Sequence, residues 1–478
     1  MLAGHVEVYD QLGIGGWAID DEQPGVPQLV DILFDGHFYA RVTASLPKRG
    51  RGECGFKLLL PREVGIRRER VLVEVRFAAN QALLGNSPRH LSFRGSAKRV
   101  LVMVPAGLRY GHDKVKARPA PLREHIGTYY NTGDWMVFDS SLKLLSFAEL
   151  EAVNLWAATD AEVARFNAEF DYAFLRGSNY IYETMDWGAA EEVLAKLKIP
   201  VISFAVGAQA AGTSRIQLPE KAIRVWKQFA DHAATIGVRG RFSADVLNDI
   251  GIKNVEVIGC PSLFRCNDPT LSIRAKPLAQ LHRLAFSLRR EVSAGYSDDQ
   301  RRYLSVQKKI IKKLALHFDL TLTTHGEPAE KAFFYKDAEL IEKYRARLVE
   351  EGWLDPEDEE LMSIYGNRIF YHDRVEDFDT FLRTQDLALG FRVHCNLPAL
   401  ANGVPALFVG YDSRSLELAE TFRVPCLSLD ELDRQELNEI YTPDLWEAFN
   451  RHYPIAYAQM AGFLDGNGIA HNMWRSRG

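Results

Sequence analysis

Short apolar runs separated by turn residues fill the first 96 positions. Val6–Tyr9, Gly16–Ile19, Leu29–Phe34, Phe38–Val42, Gly55–Leu60 and Val71–Phe77 are each about strand length, and clusters such as GGWAIDDEQPG divide them. Close spacing of that kind predicts a small all-β sandwich over residues 1–96. The pattern changes at Arg99, where RVLVMVP forms a continuous apolar run. Such a run marks a strand buried on both faces of a parallel sheet. Further runs follow at Tyr172–Leu175, Pro200–Ala205, Thr235–Val238, Val255–Ile258, Leu284–Leu288, Leu320–Thr323, Ile369–Tyr371, Leu387–Leu389 and Ala406–Val409. Amphipathic helical segments alternate with them, which is a βαβ register and an α/β fold class.

This α/β region is too long for one sheet. The segment Asp268–Leu281 contains Pro269 and Pro277 and few strongly apolar residues, so it reads as a linker. The division near residue 275 predicts two Rossmann-like halves, 97–275 and 276–428, followed by a mainly helical segment, 429–478.

Composition narrows the class of function. The 478 residues are 47% hydrophobic and 25% charged, with a net charge of -5. That balance suits an ordinary globular protein and gives no overall basic character for nucleic acid. No apolar run is long enough for a transmembrane helix, and MLAGHVEVYD lacks the basic and apolar regions of a signal peptide. The five cysteines are odd in number and include no CxxC. They suit a reducing, cytoplasmic setting rather than a disulfide framework.

The clearest chemical constellation is GFRVHCNLPALANGVPALFVGYDSR, residues 390–414. A strand ends in a loop carrying Arg392 and His394, a small-residue helix follows with Gly403 after its end, and another buried strand comes next. Ligands of open α/β sheets sit at the carboxyl ends of strands. Arginine offers a planar fork to carboxylate or phosphate, and histidine moves protons near neutral pH. An isolated R-x-H also suits a loop tie and a satisfied core histidine.

This segment resembles the C-terminal signature of the polysaccharide pyruvyl transferase family: R-x-H, a small-residue helix, G-V-P and a strand ending in Y-D. Other stretches resemble the family in the same order. They are TYYNTGD (128–134), IGVRGRFSADVLNDIGIKNVEVIGCPSLF (236–264) and FSLRR (286–290). The resemblance covers about residues 99–425. One departure is LRGSNYIYE, where the family often has a Gly-rich turn; Gly177, Ser178 and Asn179 stand there and alter the acceptor surface.

The resemblance implies two Rossmann-like domains in a GT-B-like arrangement, with the site in the cleft. It implies phosphoenolpyruvate as co-substrate, no other cofactor, and a sugar diol of a glycan or lipid-linked oligosaccharide as acceptor. The product is then a pyruvate ketal. By position, Arg239, Arg392, Val393 and His394 correspond to donor-binding residues. Holding a phosphate and a carboxylate calls for several arginines, so Arg289 joins them. The chemistry needs an acid and a base, and His394, His325 and Asp134 are the candidates. Asn131, Asp134, Ser178 and Asn179 are the candidates for the acceptor. Asp134 also suits a helix N-cap, and Arg239 also suits a pair with Asp245. No metal is required in principle, because guanidinium groups can stabilise the developing charge. A nucleotide-sugar glycosyltransferase and a non-catalytic glycan-assembly protein share the expected fold.

Other signals are weaker. Arg301–Phe318 reads as a helix with Leu304, Ile310, Leu314 and Phe318 on one stripe and six basic residues elsewhere. It suits a solvated face, or docking to anionic lipid at the inner face of a membrane. Asp377-Phe378-Asp379 is formally a D-x-D, but it lies in a helical pattern. VGAQAAG (206–212) lacks the ending of a phosphate-binding P-loop. Cys395 reads as a small packing residue. His372-Asp373 has no metal-ligand companions. The N-terminal domain carries no catalytic signature; Trp17 and its neighbours suit glycan binding, oligomer contact or a structural appendage equally.

Overall fold

A computed structural model describes residues 2–10, 13–48, 51–60, 70–92, 98–111, 114–210, 215–290 and 299–473. Positions 211 and 212 of the VGAQAAG segment and the tail 474–478 lie outside the described residues.

The N-terminal region forms two four-stranded antiparallel sheets. One orders its strands Leu2–Asp10, Gly13–Asp20, Gly52–Leu59, Leu46–Lys48, and the other His37–Ala44, Gln28–Phe34, Arg70–Phe77, Arg89–Ser92. Alternation decides which side chains face inward: Val71, Val73 and Val75 are fully buried, while Leu72 and Glu74 between them are not. These valines join Val6, Ile14, Ile32 and Phe56 in a separate core. Arg89 fixes the sandwich to the rest of the chain. It is buried, donates to the Cys266 carbonyl at 3.2 Å, and lies 3.7 Å from the Asp268 carboxylate.

The first α/β half has a parallel sheet in the order Glu149–Ala152, Arg99–Val102, Tyr172–Leu175, Val201–Ser203. The parallel pair Ile236–Val238 and Val255–Val257 continues it through a bridge between Val206 and Val238. Residues 268–281 cross to the second half without a strand. There, six parallel strands run Ile369–Phe370, Asp319–Thr323, Arg283–Ser287, Leu387–Gly390, Ala406–Gly410, Cys426–Ser428. This is the Rossmann order 3-2-1-4-5-6.

The long helix Glu447–Gly466 returns to the first half, where the Phe463 ring lies against Gly237 and Asn467 bonds Thr235. Two Rossmann-like halves, a cleft and a returning C-terminal helix make the GT-B-like arrangement. One apolar cluster runs through both halves and includes Phe174 and Ile202 from the first sheet and Phe286 and Leu389 from the second. A buried ion pair adds to it. Arg265 meets Asp379 at 2.8 and 2.5 Å, Asp139 at 3.1 Å and the Ser140 hydroxyl at 2.6 Å. Asp379 is thereby used in joining the helices Thr132–Leu144 and Val375–Leu382, and Asp377 pairs with Arg374 at 3.1 Å. The D-x-D is structural.

Four of the six Lys and Arg side chains of the basic helix Gln300–His317 are paired within the chain. Arg302 meets Asp430, Lys309 meets Asp433, Lys312 meets Asp358, and Lys313 meets Glu436. The basic face expected from the sequence is thus largely neutralised. Among the described residues no helix is long and apolar enough to cross a membrane.

Candidate active site

The strand order of the second sheet reverses between Arg283–Ser287 and Leu387–Gly390. Their connections leave in opposite directions, so the loops after them open a crevice at their carboxyl ends. Arg289 follows the first strand, and Phe391–His394 follow the second. Across from them the first half supplies the start of the helix Thr132–Leu144, the turn after Tyr172–Leu175 and the residue after Ile236–Val238. A cavity of about 280 Å³ lies between. Asn131, Asp134, Ser178, Asn179 and Arg239 line it from the first half. Arg289, His325, Arg392, Val393 and His394 line it from the second. Every candidate site residue read from the sequence therefore reaches one cavity.

Arg239 is 1% exposed, and its Nη1 donates to Asn179 Oδ1 at 2.6 Å. Its Nε and Nη2 have no hydrogen-bond partner among the described residues. Gly207 allows this position: a Cβ there would lie 2.9 Å from Arg239 Cδ. Arg239 does not pair with Asp245, which lies instead 4.0 Å from Arg241. Asn179, read as an acceptor contact, has its oxygen committed to Arg239, and its Nδ2 donates to Gln209 Oε1 at 3.3 Å.

Arg392 is held from three sides. Its backbone N–H donates to Ser287 Oγ at 3.0 Å, its Nε donates to the Leu288 carbonyl at 2.8 Å, and its guanidinium pairs with Glu327. Glu327 Oε2 also accepts from the His325 backbone N–H at 3.0 Å. The backbone of Arg289 exchanges two hydrogen bonds with the Gln307 amide, and its guanidinium lies over the Tyr411 ring at 5.7 Å. The neighbouring Arg290 is structural, paired with Glu330 and Glu351.

Both histidines are held neutral. Burial pushes His394 well below the ordinary imidazole value, and Arg239, Arg414, Arg176 and Arg392 push the same way. Its Nε2 lies 3.7 Å from Cys260 Sγ. Burial also lowers His325, with Arg392 and His394 beside it. The His325 ring packs on Gly133, where a Cβ would come within 2.7 Å of Nδ1, and its Nε2 has no partner among the described residues. That contact explains the glycine of the N-T-G-D loop.

Asn131, not Asp134, caps the helix Thr132–Leu144, accepting from the Gly133 N–H at 3.1 Å. Asp134 is left in the first turn, 3.8 Å from Arg176. Cys395 is buried against Thr323 Oγ1 at 3.3 Å, and burial pushes its thiol up to about 12, so it is a packing residue.

The sequence reading missed several cavity residues. Arg414 lines the cavity and forms a fork on Asp412 at 2.8 and 2.6 Å, and Nη2 reaches the Tyr411 hydroxyl at 3.2 Å. Asp412 caps the helix Ser413–Phe422 and holds that fork in place. Tyr182, Gln209 and Phe391 also line the cavity. Arg176 stands just behind it, 8% exposed, donating to the Gly177 carbonyl at 3.3 Å. The signal for Arg414 was present in YDSR, directly after a buried strand. Arg176 had no such signal beyond its place at a strand end.

Among solved structures, MnaA from S. aureus with UDP is 14% identical, covers 76% of this chain and 94% of its own, and has a TM-score of 0.38. The UDP-GlcNAc 2-epimerase of Methanocaldococcus jannaschii is 12% identical, with 75% and 99% coverage and a TM-score of 0.35. The E. coli heptosyltransferase WaaC is 8% identical, with 75% and 98% coverage and a TM-score of 0.28. No curated protein matches the chain. The family profile of polysaccharide pyruvyl transferases matches residues 107–413, a span holding every candidate site residue except Arg414, and the chain belongs to that family.

Proposed function

We propose that the cavity binds phosphoenolpyruvate and transfers its pyruvyl group to two hydroxyls of a glycan, forming a ketal. One observation carries this reading: four cavity arginines, Arg239, Arg289, Arg392 and Arg414, converge with two buried neutral imidazoles. A small ligand bearing both a phosphate and a carboxylate matches that set, because guanidinium forks suit both groups. The first-half wall, beside Arg239, also carries Asn131, Asp134, Ser178 and Gln209, the amides, hydroxyl and carboxylate that suit sugar hydroxyls.

In this reading His394, taking up a proton once the anionic donor lies beside it, delivers that proton to the methylene carbon of the donor. The adjacent carbon becomes cationic, and an acceptor hydroxyl attacks it while Asp134 takes that hydroxyl's proton. The carbon–oxygen bond to phosphate then breaks, and the arginines stabilise the departing dianion. A second hydroxyl closes the ring and releases its proton. The proton gained by the methyl group and the one carried away by phosphate equal the two lost by the diol.

Thermal-shift titration with phosphoenolpyruvate and a panel of nucleotide sugars tests the donor. A ligand at about 100 times its dissociation constant stabilises by roughly 2.7 kcal/mol, a rise of a few degrees. The expected result is a rise with phosphoenolpyruvate that Arg392→Ala removes. A rise only with a nucleotide sugar would replace this reading with a glycosyltransferase.

A further inference from the structure

The helix Arg241–Asp249 starts two residues after the cavity residue Arg239. Its N-cap residue, Gly240, has no side chain to cap it, and its first turn holds no acidic residue. The cap comes from the second half. Glu417, on the helix Ser413–Phe422, accepts from the Ser243 N–H at 3.1 Å and from the Ser243 hydroxyl at 2.9 Å. N–H groups in a first helical turn have no partner within the helix, so this bond fixes where the helix begins. Gly240 leaves the room for it: a Cβ there would lie 2.9 Å from both Cβ and Oε2 of Glu417.

Ser243 carries the contact on to Arg239. Its hydroxyl oxygen accepts from the Ala208 N–H at 2.7 Å, and the Arg239 N–H donates to the Val206 carbonyl at 2.9 Å. Between those two ties stands Gly207, packed on the Arg239 side chain. Arg239 Nε and Nη2 have no partner among the described residues, so their direction depends on how this frame is held. The helix Ser413–Phe422 also carries the cavity residue Arg414, and Ser413 exchanges two hydrogen bonds with the Ala210 backbone of the first half, at 2.9 and 3.3 Å. One helix thus presents one cavity guanidinium and clamps the frame of another. Capping alone does not call for Glu417. A serine or aspartate at position 240 would cap the helix locally, without burying a carboxyl that is 3% exposed.

Resting on the donor reading above, we infer that Glu417 is a positioning residue, acting through Ser243 to hold Arg239 at the spacing from Arg392 and Arg414 that one donor molecule requires. It lies outside the cavity lining and touches no substrate. Burial raises its carboxyl to about 7, with Arg239 and Asp412 the charges near it. Protonated or not, one oxygen remains to accept the Ser243 N–H, which makes glutamine the conservative replacement.

The test compares Glu417→Gln with Glu417→Ala in the full chain. Both remove the charge, and only alanine removes the cap. Hydrogen exchange reads the cap without any ligand: residues 239–247 are expected to exchange faster in Glu417→Ala and at the wild-type rate in Glu417→Gln. Calorimetric titration with phosphoenolpyruvate reads its consequence. The expected dissociation constant of Glu417→Ala is about tenfold above that of Glu417→Gln, equivalent to about 1.4 kcal/mol. In an Arg239→Met background, where Glu417 has no guanidinium to act through, the two are expected to agree within about twofold. Should Glu417→Ala fail to fold, Ser243→Ala replaces it, with a several-fold loss of affinity that again depends on Arg239. Equal donor affinity in the alanine and glutamine variants, or a tenfold difference that persists without Arg239, would overturn the inference and leave Glu417 a helix cap only. The expected exchange pattern in a wild-type protein that binds no phosphoenolpyruvate would instead remove the donor assignment and leave the clamp on Arg239 standing.

Discussion

Replacing Asn179 by alanine isolates the contact that orients Arg239. Its Oδ1 accepts the 2.6 Å hydrogen bond from Arg239 Nη1, and Arg239 has no other side-chain partner among the described residues. A hydrogen bond to a charged group contributes roughly 1.5–3 kcal/mol. Some of that loss will appear as reduced stability of the fold. If half reaches the bound donor, its dissociation constant rises by roughly three- to twelvefold, since about 1.4 kcal/mol is tenfold. Asn179→Asp makes the complementary case. A carboxylate at 2.6 Å pairs with Arg239 and stabilises the empty protein, but it also cancels the charge the donor needs. Calorimetric titration with phosphoenolpyruvate, beside thermal melts, reads both effects. Both variants are expected to bind the donor more weakly, while their melting temperatures move in opposite directions. Wild-type donor affinity in Asn179→Ala, with a lowered melting temperature, would refute the reasoning and leave Asn179 a purely structural residue.

Three further outcomes follow from packing and charge. Gly207→Ala places a Cβ 2.9 Å from both Arg239 Cδ and Asn179 Oδ1, so phosphoenolpyruvate affinity falls several-fold with little change in the far-ultraviolet circular dichroism spectrum. Arg265→Ala strands the buried Asp379 carboxylate and is expected to cost about 3–5 kcal/mol in denaturant unfolding, against under about 1 kcal/mol if the pair is unimportant. His372 has a folded pKa lowered by burial to about 3, and its ring stacks on Phe378 at 4.4 Å. The unfolded chain therefore binds more protons between about pH 3 and 6.5, and stability falls as the pH falls through that window, by about 1.4 kcal/mol per pH unit for one such group. His372→Phe keeps the stack and is expected to make the acid slope of the melting temperature shallower; an unchanged slope would show that His372 does not titrate there.

Much of this arrangement was legible in the residue pattern. The buried central strands of both sheets announced themselves, because a strand covered on both faces has no polar side to disguise it. Glu149–Ala152 did not, since its sequence ELEA reads as polar; it sits at the sheet edge, with partly exposed side chains. The short strands Asn179–Ile181 and Gly207–Ala208 were equally hidden, because they exist only as partners of one another. The R-x-H loop and the N-T-G-D loop were found because each follows strong local punctuation. Their partners were not. Glu327 on Arg392, Asn179 on Arg239 and Asp412 under Arg414 are contacts fixed by tertiary structure, and spacing along the chain carries no trace of the first two. The helix Gln300–His317 shows the converse. Its basic residues were plain, but the acids that pair with them come from residues 358 and 430–436.

The most direct test of the donor assignment is a crystal structure of the full chain with phosphoenolpyruvate. The account predicts density for one donor molecule in the cleft, its phosphate and carboxylate against Arg239, Arg289 and Arg392, with the methylene carbon within reach of the His394 ring. A donor bound elsewhere, or a cavity left empty at saturating phosphoenolpyruvate while a nucleotide sugar fills it, would contradict the account.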